Sequence, residues 1–213
     1  MLRLATYFRS SAAYRVRIAL HLKGLKWIDV PVNLRLAEHQ DAGHIAINSQ
    51  GLVPSLEISG QWLGQSLAII EYLEETYSGP TILPTTAIAR AQVRGLAQQL
   101  AIDIHPLNNL RVLKYLESDL GADVEAKSAW YQHWIKLGFS AFEDALARLG
   151  STGQYCFGDQ PSLADICLIP QVYNARRFSC ELSEYPLIQS IDQHCNTLKV
   201  FQAAAPQQQA DAI

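Results

Sequence analysis

The chain has 213 residues, of which 49% are hydrophobic and 17% charged, and a formal net charge of −3. That is enough apolar chain for one large domain or two small ones, and it excludes a disordered protein. The charge offers no bulk attraction to nucleic acid or to an anionic membrane, and no apolar run approaches the ~20 residues of a bilayer span. The N-terminus lacks a basic stretch leading into an apolar one, so no secretory signal is visible. Cys156, Cys167, Cys180 and Cys195 form no C-x-x-C pair and read as free thiols of a reducing compartment, expected to be the cytoplasm.

Along the chain, Leu2–Tyr7 is strand-like and Ala13–Lys23 is an amphipathic helix with Gly24 as its stop. Trp27–Val32 is a second strand, and residues 33–48 are polar loop with a short helix. Residues 53–58 lead into a third strand, Ser59-Gly60 turns, and Gln61–Leu63 returns as its hairpin partner. Ser66–Thr76 is a helix with Leu67, Ile69, Ile70 and Leu73 on its apolar side. The order βαβ–ββα predicts an α/β unit with a mixed sheet over residues 1–80. Turn formers cluster over residues 78–85, and 81–85 are read as a linker. Beyond it the spacing is helical, near 87–118, 123–149, 162–177 and 184–204, which predicts an all-α domain over 86–213. Pro106 predicts a kink in the first of these helices, and the Gln/Ala-rich tail from Pro206 is expected to fray.

Three short motifs carry chemistry. Arg9-Ser10-Ser11 closes a strand and opens a helix, where unpaired N–H groups and the helix dipole favour an anion. Either serine alone also reads as an ordinary N-cap. Val53-Pro54 precedes a strand and is either a loop proline or a cis-proline that presents the neighbouring backbone to an extended ligand. Gln65-Ser66 opens the next helix, with Ser66 a sound N-cap or, with Gln65, a grip for a carboxylate. His105, just before Pro106, reads as a base, a ligand contact or a cap of the kinked turn. No second His or carboxylate stands at metal-ligand spacing from it, so no metal is expected. Ser162-Leu163-Ala164-Asp165 has the spacing of a capping box and is assigned to stability.

Taken in this order, Arg9-Ser10-Ser11…Tyr14-Arg15-Val16-Arg17, Asn48…Val53-Pro54, Gln65-Ser66 with the helix after it, and residues 103–113 give a chain that resembles the zeta class of the glutathione transferases over nearly its full length. The resemblance implies a thioredoxin-like N-terminal domain, an all-helical C-terminal domain, bound glutathione and a homodimer. It implies that Ser10, with Ser11 as second candidate, contacts the glutathione sulfur. Val53 ahead of cis-Pro54 would pair with the cysteinyl backbone, and Gln65 and Ser66 would hold the γ-glutamyl carboxylate. His39 or Gln40 would lie near the glycyl end, and His105, Asn109 and Arg111, on the long helix of the second domain, would line the cleft. The class commonly carries Cys where this chain has Ala12, so the reactive sulfur is expected from glutathione. The implied activity is cis–trans isomerisation of a dianionic diketo acid, maleylacetoacetate, with maleylpyruvate isomerisation or general transferase chemistry as alternatives. Such a substrate needs cationic partners, for which Arg9, Arg111 and Arg176 are the candidates. Arg9 is grouped with the serines as catalytic, and Arg15 and Arg17 read as structural.

Overall fold

The structure, a computed structural model, describes residues 1–212. It divides into two compact units: Met1–Thr81 with the segment from Thr197 onward, and Ile82–Asn196. The first holds strands β1 (Leu2–Thr6), β2 (Trp27–Pro31), β3 (Ser55–Ile58) and β4 (Gln61–Gly64), with helices α1 (Ser11–Leu22), α2 (Ala42–Ile47) and α3 (Ser66–Thr76). The sheet order is β2-β1-β3-β4, with β1 and β2 parallel across the α1 crossover and the other pairs antiparallel. This is the thioredoxin-like arrangement. Leu4, Ala5 and Leu56 at the sheet centre are fully buried, as are Val16, Ile18, Leu20, Ile69, Ile70 and Leu73 from α1 and α3. β3 and β4 join through Ser59 and Gly60, both at positive φ, which matches the twist of a two-residue hairpin. α1 stops where expected: Gly24 takes φ 64°, its N–H donates to His21, and the Leu25 N–H donates to Leu20, a full Schellman motif.

The second unit is helical, with α4 (Ala87–Gln98), α5 (Leu110–Ser118), α6 (Val124–Arg148), α7 (Leu163–Arg177) and α8 (Pro186–Cys195). The single helix expected over 87–118 does not exist. α4 passes into a π-helical turn over Gln99–Ile104, the chain then turns through 105–109, and α5 starts afresh with Asn109 as its N-cap. Pro106 has no N–H to continue the ladder and its ring crowds the preceding turn, so the break replaces the expected kink. The π turn packs against α6 at Gly138, where a Cβ would lie 2.2 Å from Ile104 Cδ1. Ile82 and Leu83, in the stretch read as a linker, are buried, and the Ile82 carbonyl accepts the Leu163 N–H at 2.9 Å.

The segment read as one helix over 184–204 is α8 and then α9 (Lys199–Ala204), separated where the Asn196 amide folds back onto Asp192. The expectation that the second domain runs to the C-terminus meets a difference here. α9 packs on α1, and the residues after Asn196 group with the first unit. The tail is not frayed over its described residues: Pro206 is buried, and the Asp211 carboxylate accepts the Phe8 N–H at 2.9 Å. One buried proline and one hydrogen bond give the tail a purchase that its Gln/Ala composition does not advertise.

The capping box at α7 forms as expected. Ser162 Oγ accepts the Ala164 N–H and donates to Asp165, whose carboxylate also accepts the Ser162 and Cys156 N–H groups. Burial pushes the Asp165 carboxyl up, and these donors oppose that shift. Ser162→Ala is expected to cost about 1 kcal/mol, lowering Tm by about 2–4 °C in a chain of this size without altering turnover; calorimetry beside an activity assay checks both.

Candidate functional site

Three loops of the first unit leave the same end of the sheet. Ala5 at the end of β1 pairs with Ser55 at the start of β3, which pairs with Gly64 at the end of β4. The segments Tyr7–Ser11, Val53-Pro54 and Gln65-Ser66 therefore continue from one row of backbone partners, though they are far apart in sequence.

In the first loop a turn over Tyr7–Ser10, closed by the Ser10 N–H donating to the Tyr7 carbonyl at 2.9 Å, delivers the chain to α1. Ser10 is the N-cap, and its Oγ accepts the Ala13 N–H at 3.2 Å. An accepting hydroxyl keeps its own proton to donate, so the capping reading and the anion-holding reading coexist at one residue. Ser10 is half-buried, whereas Ser11, one residue into the helix, is buried. The Arg9 guanidinium lies 4.9 Å from the centre of the Phe8 ring.

In the second loop the Val53–Pro54 bond is cis. The carbonyl before it, that of Leu52, accepts from His44 Nε2 and Asn48 Nδ2, both at 2.9 Å, and Asn48 Nδ2 also reaches Ser55 Oγ at 3.3 Å. Among the described residues no hydrogen bond engages the N–H or C=O of Val53. Gly51 sits at φ 60°, and a Cβ there would meet the His39 carbonyl at 3.0 Å and Gln40 Nε2 at 3.1 Å. The short 3-10 turn carrying His39 and Gln40 thus packs directly on the loop that presents Val53.

The third loop departs from expectation. The N-cap of α3 is Gln65, not Ser66, and it makes no side-chain capping bond. Gln65 holds φ 64° and ψ 111°, a backbone that costs a non-glycine residue about 1–3 kcal/mol. Its amide Nε2 donates to Gln50 Oε1 at 2.8 Å. Ser66 is buried, and its Oγ accepts from Arg15 Nη1 at 3.4 Å. Arg15, read as structural, therefore brings a buried guanidinium beneath a helix start that has neither a side-chain cap nor an acidic residue in its first turn. That is the composition of an anion site. The pattern Arg15-Val16-Arg17 was its only trace in the sequence.

The second unit is described separately. His105 is half-buried beyond the π turn, and Asn109 Oδ1 accepts the Arg111 N–H at 3.1 Å, so Asn109 serves as the cap of α5. Arg111 is exposed on the first turn of that helix. Arg176 is anchored at one end: Nη2 lies 2.6 Å from the buried Asp192 carboxylate. Burial pushes the Asp192 carboxyl up, and the Arg176 partner opposes that shift. The next residue, Arg177, instead lines a pocket of about 450 Å³ in this unit. Leu110, Leu113, Val124 and Phe178 form its apolar part, and Lys114, Lys127, Arg177 and Glu117 its charged part. Glu117 pairs with Lys127 at 2.6 Å, while Lys114 and Arg177 form no ion pair among the described residues. Three cations against one carboxylate leave the pocket net positive. The sequence offered Arg176 and Arg177 side by side, and only the position of Asp192 separates their roles. Among the described residues no group of three His, Cys, Asp or Glu could hold a metal ion.

The glutathione S-transferase N-terminal domain model matches residues 9–76, and the C-terminal domain model matches residues 128–188. A probable maleylacetoacetate isomerase of Vibrio cholerae is 47% identical over 97% of this chain and 96% of its own. The solved holo structure of a maleylpyruvate isomerase, described as a bacterial zeta-class glutathione S-transferase, is 46% identical with a TM-score of 0.97, covering 99% of this chain and all of that one. A maleylacetoacetate isomerase from Methylobacterium extorquens AM1, solved with bound malonate and glutathione, is 37% identical with a TM-score of 0.96 over 99% of both chains.

The strain at Gln65 yields a direct comparison. Gln65→Gly and Gln65→Ala both remove the amide, but only glycine relaxes the backbone. The glycine variant is expected to melt above the alanine variant by about 2–4 °C, the equivalent of about 1 kcal/mol. Equal melting temperatures would show that the positive φ stores no strain.

Proposed function

Because the chain belongs to the zeta class of the glutathione S-transferase family, we propose that it is a glutathione-dependent cis–trans isomerase converting maleylacetoacetate to fumarylacetoacetate, as in the breakdown of phenylalanine and tyrosine. The observation that carries the reading is the row Ala5–Ser55–Gly64, which starts three glutathione-fitting loops from one end of the sheet. The residues there suit the tripeptide. The Val53 backbone is unengaged for an extended partner, and the α3 start with Ser66 and buried Arg15 suits a carboxylate. His39, Gln40 and Pro54 frame the same loops.

Bound glutathione supplies a thiolate that adds reversibly to one carbon of the cis double bond, so that rotation about the resulting single bond and elimination leave the trans isomer. Ser10 donates a hydrogen bond to that sulfur, with Ser11 the second candidate, while the N-terminus of α1 adds its dipole. Together they favour the anion of a thiol whose ordinary pKa is about 8.5, each unit of lowering being worth about 1.4 kcal/mol. Arg9 holds negative charge on the substrate beside the serines, and the helical unit, taken by itself, offers in Arg177 and Lys114 a net positive pocket suited to an anion. His105, Asn109 and Arg111 remain candidates for lining the cleft. Arg176 stays in this set, its Nη2 held in place by the Asp192 carboxylate.

Maleylpyruvate is the second reading, favoured by the 46% identity to the maleylpyruvate isomerase. Both substrates are dianions and place similar demands on the arginines. We also place the protein in the cytoplasm as a homodimer, on the strength of the family likeness and of exposed apolar side chains such as Ile88 at 69%. No described helix is long and apolar enough to cross a membrane.

A spectrophotometric assay of both substrates with and without glutathione tests the reading: turnover is expected only with glutathione, and equal rates without it would refute the mechanism. In the same assay Arg177→Ala is expected to raise KM for the diketo acid about tenfold or more, the worth of a charge-assisted hydrogen bond. Arg176→Ala should raise KM as well and, because the buried Asp192 loses its partner, lower Tm.

A further inference from the structure

The turn that carries Arg9 and Ser10 lies outside the sheet, yet it is held tightly at Phe8, its second residue. Both backbone polar groups of Phe8 are engaged. Its N–H donates to Asp211 Oδ2 at 2.9 Å, and its carbonyl accepts from Arg17 Nη2 at 3.1 Å. Arg17 is fully buried; its Nη1 donates to Thr6 Oγ1 at 3.2 Å and its Nε to the Ala204 carbonyl at 3.0 Å. Ala204 ends α9, where carbonyls lack helical partners and the dipole favours a cation. The segment from α9 through buried Pro206 to Asp211 therefore straps the turn from both sides.

The strap bears on chemistry because the turn is short. Ser10 is joined to Tyr7 by the hydrogen bond that closes the turn, and Phe8 and Arg9 are its two central residues. A shift of Phe8 is passed to Ser10 through two peptide units. A carboxylate accepting a backbone N–H is a charge-assisted bond and the stronger kind.

We propose that Asp211 is a positioning residue for the reaction: by fixing the Phe8 N–H it sets where the Ser10 hydroxyl stands against the sulfur of bound glutathione. The inference rests on the assignment of the sulfur contact to Ser10. Asp211 touches neither substrate nor cofactor in this account; it acts through the turn.

The test compares Asp211→Ala, Asp211→Asn and Ser10→Ala with the full-length protein. The readouts are kcat, KM for glutathione, the pH titration of the bound thiol by its ultraviolet absorbance, Tm, and hydrogen exchange at the Phe8 amide. For Asp211→Ala, kcat is expected to fall roughly tenfold to a hundredfold, as for a small misplacement of a reacting group. The thiol titration should move to higher pH, the Phe8 amide should exchange faster, KM for glutathione should change little, and Tm should fall by only a few degrees. Asp211→Asn keeps an acceptor oxygen and should recover most of the activity. An Asp211→Ala variant with wild-type kcat and thiol titration, while Ser10→Ala is impaired, overturns the proposal. So does a loss of kcat that merely follows a loss of folded protein with the thiol titration unmoved. If Ser10→Ala itself is unimpaired, the assignment to Ser10 fails, and the positioning role falls with it.

Discussion

Arg15 and Arg17 lie inside the first unit at 1% and 0% exposure, and a guanidinium cannot shed its charge there. An ion taken from water costs several kcal/mol unless the surrounding groups replace its hydration. For Arg17 the fold meets that demand by placing oxygen acceptors around α1. Residues two apart on a helix point to different sides, so the two arginines serve different neighbours. Arg17 gathers Thr6, Phe8 and Ala204, while Arg15 reaches Ser66. One helix thereby ties the end of β1, the end of α9 and the start of α3 together. The requirement to satisfy buried charge is what holds the site's loops in place.

The chain's own cysteines are withdrawn from solvent, three buried and Cys180 half-buried. Burial pushes the Cys156 and Cys195 thiols up, and the Cys180 thiol to about 11, so these cysteines are poor nucleophiles near neutral pH. Ala12, on the first turn of α1, supplies none either. A site with a hydroxyl, helix dipoles and arginines but no reactive sulfur of its own is built to activate a sulfur that arrives bound.

Local structure was legible where local chemistry decides it. Alternation gave the strands, Gly24 gave the end of α1, and Ser66–Thr76 matches α3 at both bounds. What escaped depends on partners distant in sequence. Nothing around Arg176 and Arg177 indicates which one Asp192 will claim, because that is decided by how α8 lies on α7. The positive φ of Gln65 had no glycine to announce it, so Ser66 took the capping role that the backbone gives to its neighbour. The break after Ile104 was signalled by Pro106, but its π-helical form depends on Gly138 giving room to Ile104 on another helix. The tail reads as polar and low in complexity, and the burial of Pro206 together with the Phe8 N–H, some two hundred residues upstream, explains why it is ordered.

The return of the chain after Asn196 to the first unit sets an order of events during synthesis. When β1 to β4 and their helices leave the ribosome, the Arg17 guanidinium and the Phe8 N–H still lack acceptors that come from α9 and the tail. The helical unit, contiguous in sequence, has all of its own segments in hand earlier. The unit made first is thus the one completed last, and a nascent chain stalled short of Asp211 carries a cation without its α9 acceptor and a loose site turn.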